Sequence, residues 1–111
     1  MLRSLLTCAA LATASLGVTT AVSIEAMAQS FSCSGNLSAA ERAICGHSRL
    51  RSWDKRVTGL YFQINSTASD AARARNIRDQ RSFIRQRNRC GSNRTCIAAA
   101  YDDRYEQMRA Y

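Results

Sequence analysis

Four cysteines, Cys33, Cys45, Cys90 and Cys96, restrict the fold of this chain more than any other feature, because they form an even set in a short sequence with no proline. In a small exported protein an even count reads as a disulfide framework, which offsets what a modest core lacks. Four cysteines permit three pairings, and the sequence alone does not choose among them. The local set, Cys33 with Cys45 and Cys90 with Cys96, is the expected one. Zinc is the competing use, but His47 is the single histidine and no CxxC pair occurs, so no metal or other cofactor is expected.

A fifth cysteine, Cys8, lies in an N-terminal stretch with the organisation of a secretory leader. Arg3 supplies a positive start, Leu5 to Val22 carries no charge, and Ala26-Met27-Ala28 offers the small-x-small pattern cut by a signal peptidase. Cleavage is expected before Gln29, removing Cys8 with residues 1–28. Thr and Ser interrupt the apolar stretch and no basic stop-transfer residues follow it, so no transmembrane anchor is expected after processing. What remains, residues 29–111, is one domain with one core, periplasmic or secreted in a bacterium.

The leader holds one base and one acid, so the mature chain retains 15 Lys+Arg against 7 Asp+Glu and the whole +8. All of those bases but Lys55 are arginine, whose planar fork matches carboxylate and phosphate. Such a balance favours anionic partners.

Apolar residues recur at helical spacing almost throughout, which predicts an all-α domain of about four antiparallel helices stapled by two disulfides. Ser38-Ala39-Ala40-Glu41 is a capping-box pattern opening a short helix that reaches Cys45 and stops at Gly46. Leu50, Trp53, Val57, Leu60, Tyr61 and Ile64 form one stripe on a second helix, expected over 48–65. A polar break from Asn65 to Asp70 precedes a third helix over 71–89, folded back as a hairpin. After the Gly91-Ser92-Asn93 turn, a fourth helix is expected to bury Ile97, Ala100, Tyr101, Tyr105 and Met108.

At about 100° per residue, the third helix places Arg87 and Gln80 within the apolar stripe of Ala72, Ile77, Phe83 and Ile84. Arg104 falls inside the stripe of the fourth helix in the same way. An inward arginine requires a carboxylate or carbonyl partner. Asp54 is the leading candidate and Glu41 the next, so Asp54, Arg87, Arg104 and Glu41 are expected to form a structural charge network. The opposite face of the third helix carries Arg75, Arg78, Arg81, Arg85 and Arg89. Like charges at these spacings repel by a few tenths of a kcal/mol per pair, which suits a face covered by an anionic partner or a solvated face balanced by acids such as Asp79. Asp102, Asp103 and Glu106, set at the start of the fourth helix, are the only acidic cluster. They suit either a basic partner or the dipole of that helix's N-terminus. No catalytic residues are expected, because paired carboxylates, a phosphate loop and a serine nucleophile motif are all lacking and His47 stands alone.

The succession Phe31-x-Cys33, Glu41-x-x-Ile44-Cys45, Leu50-x-x-Trp53-Asp54-x-x-Val57-x-x-x-Tyr61, Gln80-Arg81-x-Phe83-Ile84-x-x-Arg87-Asn88-x-Cys90, Cys96 and Tyr101-x-x-Arg104 resembles the LprI-type lysozyme-inhibitor family. The resemblance spans nearly all of the mature chain. It implies a small exported helical domain, associated in some members with inhibition of lysozyme. It also implies that the four cysteines are staples and that Asp54, Gln80, Arg81, Arg87, Asn88 and Arg104 form a polar framework. Trp53 departs from the aliphatic residue usual there, and Phe83 from the usual Trp.

The expected function is therefore an exported binding protein that inhibits a lysozyme-type cell-wall hydrolase. The alternative is a basic envelope protein that holds acidic polymers such as peptidoglycan or lipopolysaccharide on its arginine stripe. Export and the absence of exposed aromatics among the arginines argue against nucleic acid. Animal-type lysozymes are themselves basic, so inhibition by a +8 partner requires a local acidic patch. Asp102, Asp103 and Glu106 are the residues that can supply one.

Overall fold

Among the described residues, three of the four helix starts fall where a side-chain oxygen accepts a backbone N–H. In the computed structural model, which describes residues 30–111, α1 spans Ala39–Cys45, α2 Ser48–Thr67, α3 Asp70–Arg89 and α4 Arg94–Met108. The expected leader, Cys8 and the expected cleavage before Gln29 lie outside the described residues. Ser38 caps α1 in a full capping box: its hydroxyl accepts from Glu41 N–H at 3.1 Å, and Glu41 Oε1 accepts from Ser38 N–H at 2.9 Å. Ser69 caps α3 through Ala72 N–H and Asn93 caps α4 through Cys96 N–H. No strand occurs among the described residues.

Helix α2 runs past its expected end at Asn65. Instead of breaking the helix, Asn65 turns its side-chain oxygen to Asn76 Nδ2 at 2.8 Å. Ser66 and Thr67 bond back to Gln63 O at 2.7 and 3.3 Å, a use of hydroxyls that a helix accommodates. Only Ala68 and Ser69 then join α2 to α3, so the two fold back on each other as a hairpin.

Helix α4 packs against both α2 and α3, while α1 lies across the set. At seven residues α1 is too short to persist alone. Burial of Ala40 and Ile44 and the Cys33–Cys45 bond hold it. The second disulfide, Cys90–Cys96, closes the turn between α3 and α4, where Gly91 adopts a φ of +57° that few other residues tolerate. The core consists of Ala40, Ile44, Leu50, Val57, Phe83, Ile97, Ala100, Tyr101 and Met108. Tyr101 sits at its centre, 5.2 Å from the Phe83 ring and 6.5 Å from Trp53 between centroids.

Candidate functional site

Both arginines that the helical wheel turns inward are buried, and each finds a different solution for its charge. Arg87 and Asp54 are each 2% exposed, with Arg87 Nη1 3.6 Å from Asp54 Oδ1. Asp54 Oδ1 also accepts from the Tyr101 hydroxyl at 2.9 Å and from Ser30 Oγ at 2.7 Å, and Oδ2 accepts from Ser30 N–H at 3.0 Å. Arg87 donates through Nε and Nη2 to Asn88 Oδ1 and through Nη1 to Ser30 Oγ. Its guanidinium lies between the rings of Phe31 and Phe83, at 5.2 and 5.9 Å. Burial pushes the Tyr101 phenol far above its ordinary value, and the neighbouring Asp54 carboxylate pushes it the same way.

Arg104 has no carboxylate within ion-pair distance among the described residues. It is held by carbonyl oxygens: Nε donates to Gln80 Oε1 at 2.9 Å, Nη1 to Gln107 Oε1 at 2.8 Å, and Nη2 to Asn76 Oδ1 at 2.7 Å and Asn76 O at 3.2 Å. Asn76 Nδ2 continues the network to Tyr61 O and Asn65 Oδ1 on α2. Burial lowers the Arg104 pKa. The nearby Asp79 is occupied by the Tyr111 hydroxyl at 2.6 Å.

The expected four-residue charge network is therefore two separate sites with different chemistry. Glu41 belongs to neither, because its carboxylate is committed to the cap of α1. Of the polar framework that the resemblance implies, Asp54, Gln80, Arg87, Asn88 and Arg104 are tied into one site or the other, whereas the Arg81 side chain is exposed and makes no hydrogen bond among the described residues. Both guanidiniums are buried and bonded to groups of the protein itself, so both sites act as struts. Ser30, Asn76 and Gln107 are the contributors that sequence reasoning misses. Asn76 had a signal: on the wheel it falls inside the apolar stripe of α3.

The surface carries the candidates for binding. Arg75, Arg78, Arg81, Arg85 and Arg89 are all exposed, on the face of α3 opposite Asn76, Gln80, Phe83 and Arg87. Arg78 lies 3.8 Å from Asp79, and Arg75 lies over the Tyr111 ring. Arg81, Arg85 and Arg89 are not within ion-pair distance of any described acid. A quarter turn around the same helix, α3 and α4 bound a groove of about 270 Å³. Asp79 and Asp103 stand in its walls with Ser82, Gln86 and Gln107, over Phe83 and Arg104.

Asp102 and Asp103 are the ninth and tenth residues of α4, and no acid lies in its first turn. Their expected position at the start of the helix is thus corrected, and a role in balancing the N-terminal dipole, which acts within the first turn, falls with it. Asp102 and Asp103 are exposed without ion pairs among the described residues, while Glu106 pairs with Arg109 at 3.4 Å. No described group of His, Cys, Asp and Glu could hold a metal ion, and no described helix is long and apolar enough to cross a membrane. No protein-family model, curated protein or solved structure matches the chain.

Proposed function

We propose that this chain is an exported helical binding protein that inhibits lysozyme-type cell-wall hydrolases through the acidic side of α4. The observation that carries the reading is the position of Asp102 and Asp103. On a chain of net charge +8, two unpaired carboxylates stand together far from the helix end that could otherwise explain them. Asp103 opens into the α3–α4 groove, whose polar walls and Phe83 floor suit a basic side chain with an apolar stem. The cluster answers the charge problem posed by a basic enzyme: long-range repulsion slows encounter, and a complementary contact stabilises the docked pair. The resemblance to LprI-type inhibitors points the same way. The two disulfides suit an oxidising compartment, in keeping with export. In a lysis assay on cell walls the oxidised domain slows lysozyme, and Asp102→Asn with Asp103→Asn and Glu106→Gln weakens the effect. Equal inhibition by that triple variant rules out this face.

A second reading is favoured by Arg81, Arg85 and Arg89, which protrude without counter-charges among the described residues. An acidic envelope polymer lying along α3 would neutralise them. Replacing Arg75, Arg78, Arg81, Arg85 and Arg89 by Gln then abolishes retention on walls or lipopolysaccharide, and wild-type retention falls steeply with salt.

A further inference from the structure

Arg49, Ser52, Trp53 and Arg56 share one face of α2 and line a shallow groove of about 250 Å³. Trp53 is half-buried. One face of its indole is stacked toward Tyr101 with the ring planes 6° apart, and Tyr105 meets it edge-on at 5.9 Å. The Arg56 guanidinium lies 5.7 Å from the Trp53 ring and 5.6 Å from the Tyr105 ring, so two aromatic rings hold it in place. Arg49 and Arg56 are exposed, and neither is within ion-pair distance of a carboxylate among the described residues. Two helical turns, about 10 Å, separate their Cα atoms. Two arginine side chains can close that distance around one small ring.

Such a groove asks two things of a ligand. The exposed part of the indole offers a flat apolar surface, and the guanidiniums offer forked donors for an oxyanion. A neutral sugar leaves both arginines unanswered, and a bare anion leaves the indole uncovered. We propose that the Arg49–Trp53–Arg56 groove binds an acidic sugar, a pyranose bearing a carboxylate on the ring or on a short substituent. Arg56 gives up its place over the indole to take the carboxylate with Arg49, and the C–H face of the ring packs against Trp53 where the guanidinium lay. The groove lies on α2, apart from the acids of α4 and the arginine stripe of α3, so it stands whether or not the chain inhibits a hydrolase.

Trp53 is the single tryptophan of the chain, so a change in its fluorescence arises at this groove or in the core it packs against, and the double variant separates the two. The disulfide-bonded protein is titrated with N-acetylmuramic acid, glucuronic acid, N-acetylglucosamine and sodium acetate. A saturable change in Trp53 emission is expected with at least one of the two acids, and which one responds separates a wall sugar from a uronic acid. Binding of N-acetylglucosamine is expected to be weaker by about tenfold or more, as is binding of the acids by Arg49→Gln/Arg56→Gln. That variant changes exposed side chains, and its melting temperature is expected to fall by no more than a few degrees, from loss of the Arg56 contact with the two rings. No saturable response to either acid overturns the proposal. Equal affinity for the neutral sugar, an equal response to acetate, or undiminished binding by the double variant overturns it as well.

Discussion

Arg87 stops 3.6 Å short of Asp54, and the hydroxyl of Ser30 closes the gap by accepting from Arg87 Nη1 at 3.2 Å and donating to Asp54 Oδ1 at 2.7 Å. A pair so deeply buried is stabilising only if its remaining donors and acceptors are met. Here a serine from the irregular segment before α1 completes the set, and the Cys33–Cys45 bond keeps that segment close to the helices.

Removing one partner strands the other in the core. Arg87→Ala and Asp54→Ala are each expected to destabilise the domain by about 3–5 kcal/mol. Ser30→Ala, which leaves both charges in place and removes one bridging hydroxyl, should cost about 1–3 kcal/mol. Urea unfolding with intact disulfides measures all three. Variants of Arg87 and Asp54 that unfold with the wild type contradict the assignment.

Arg104 depends on shape as well as charge, since its fork reaches Gln80, Asn76 and Gln107 at once. Arg104→Ala leaves buried carbonyl oxygens without donors and is expected to cost about 3 kcal/mol or more. Arg104→Lys keeps the charge but cannot span three acceptors, so it should restore little of the loss. Full rescue by lysine means that charge alone is what the site requires.

Tyr101 gives the fold an alkaline limit. Its folded pKa lies above the unfolded value of 10.0, so the unfolded chain releases the phenolic proton first as pH rises. Stability is therefore fully present below about pH 10 and declines above it. Tyr101→Phe loses the hydrogen bond to Asp54 at neutral pH but should show a shallower alkaline decline. Thermal melts between neutral pH and pH 11 separate the two effects, and equal alkaline slopes contradict this origin.

Local chemistry was legible in the sequence, and long-range chemistry was legible only in part. The Ser38–Glu41 box, the polar break before α3 and the inward turn of Arg87 and Arg104 all follow from residues within a turn or two of one another. Asp54 was identified as a partner because it sits on the margin of its stripe, although which arginine it served was open. The amide cage was hidden because Asn76 and Gln80 read as polar interruptions of an apolar face until Arg104 is laid against them. Ser30 lies in a segment without periodicity, and the Cys33–Cys45 bond and the packing of Phe31 against the core bring it to Asp54. That the acids of α4 stand well inside it is legible in the sequence, since Ile97 and Ala100 of the same helical stripe precede Asp102.

The two disulfides close chain separations of 12 and 6 residues. Loop-closure entropy assigns them about 3 and about 2 kcal/mol in the unfolded chain. Reduction is expected to lower stability by about 2–5 kcal/mol, with the Cys33–Cys45 bond contributing more. If the chain is exported and cut before Gln29, as proposed, the intact mass of the recovered protein corresponds to a chain beginning at Gln29 less four hydrogens. Free thiols, or retention of Cys8, contradict that account.

Inhibition of a lysozyme is tested most directly on a small uncharged oligosaccharide. A basic protein can slow lysis of whole walls merely by coating an anionic substrate, and the small substrate removes that route. The oxidised wild-type domain is expected to slow its hydrolysis, and the Asp102→Asn, Asp103→Asn, Glu106→Gln variant to do so less, with the arginine stripe contributing little. Unimpeded hydrolysis of the small substrate, together with salt-sensitive binding to walls, would contradict inhibition and leave the arginine face of α3 as the working surface.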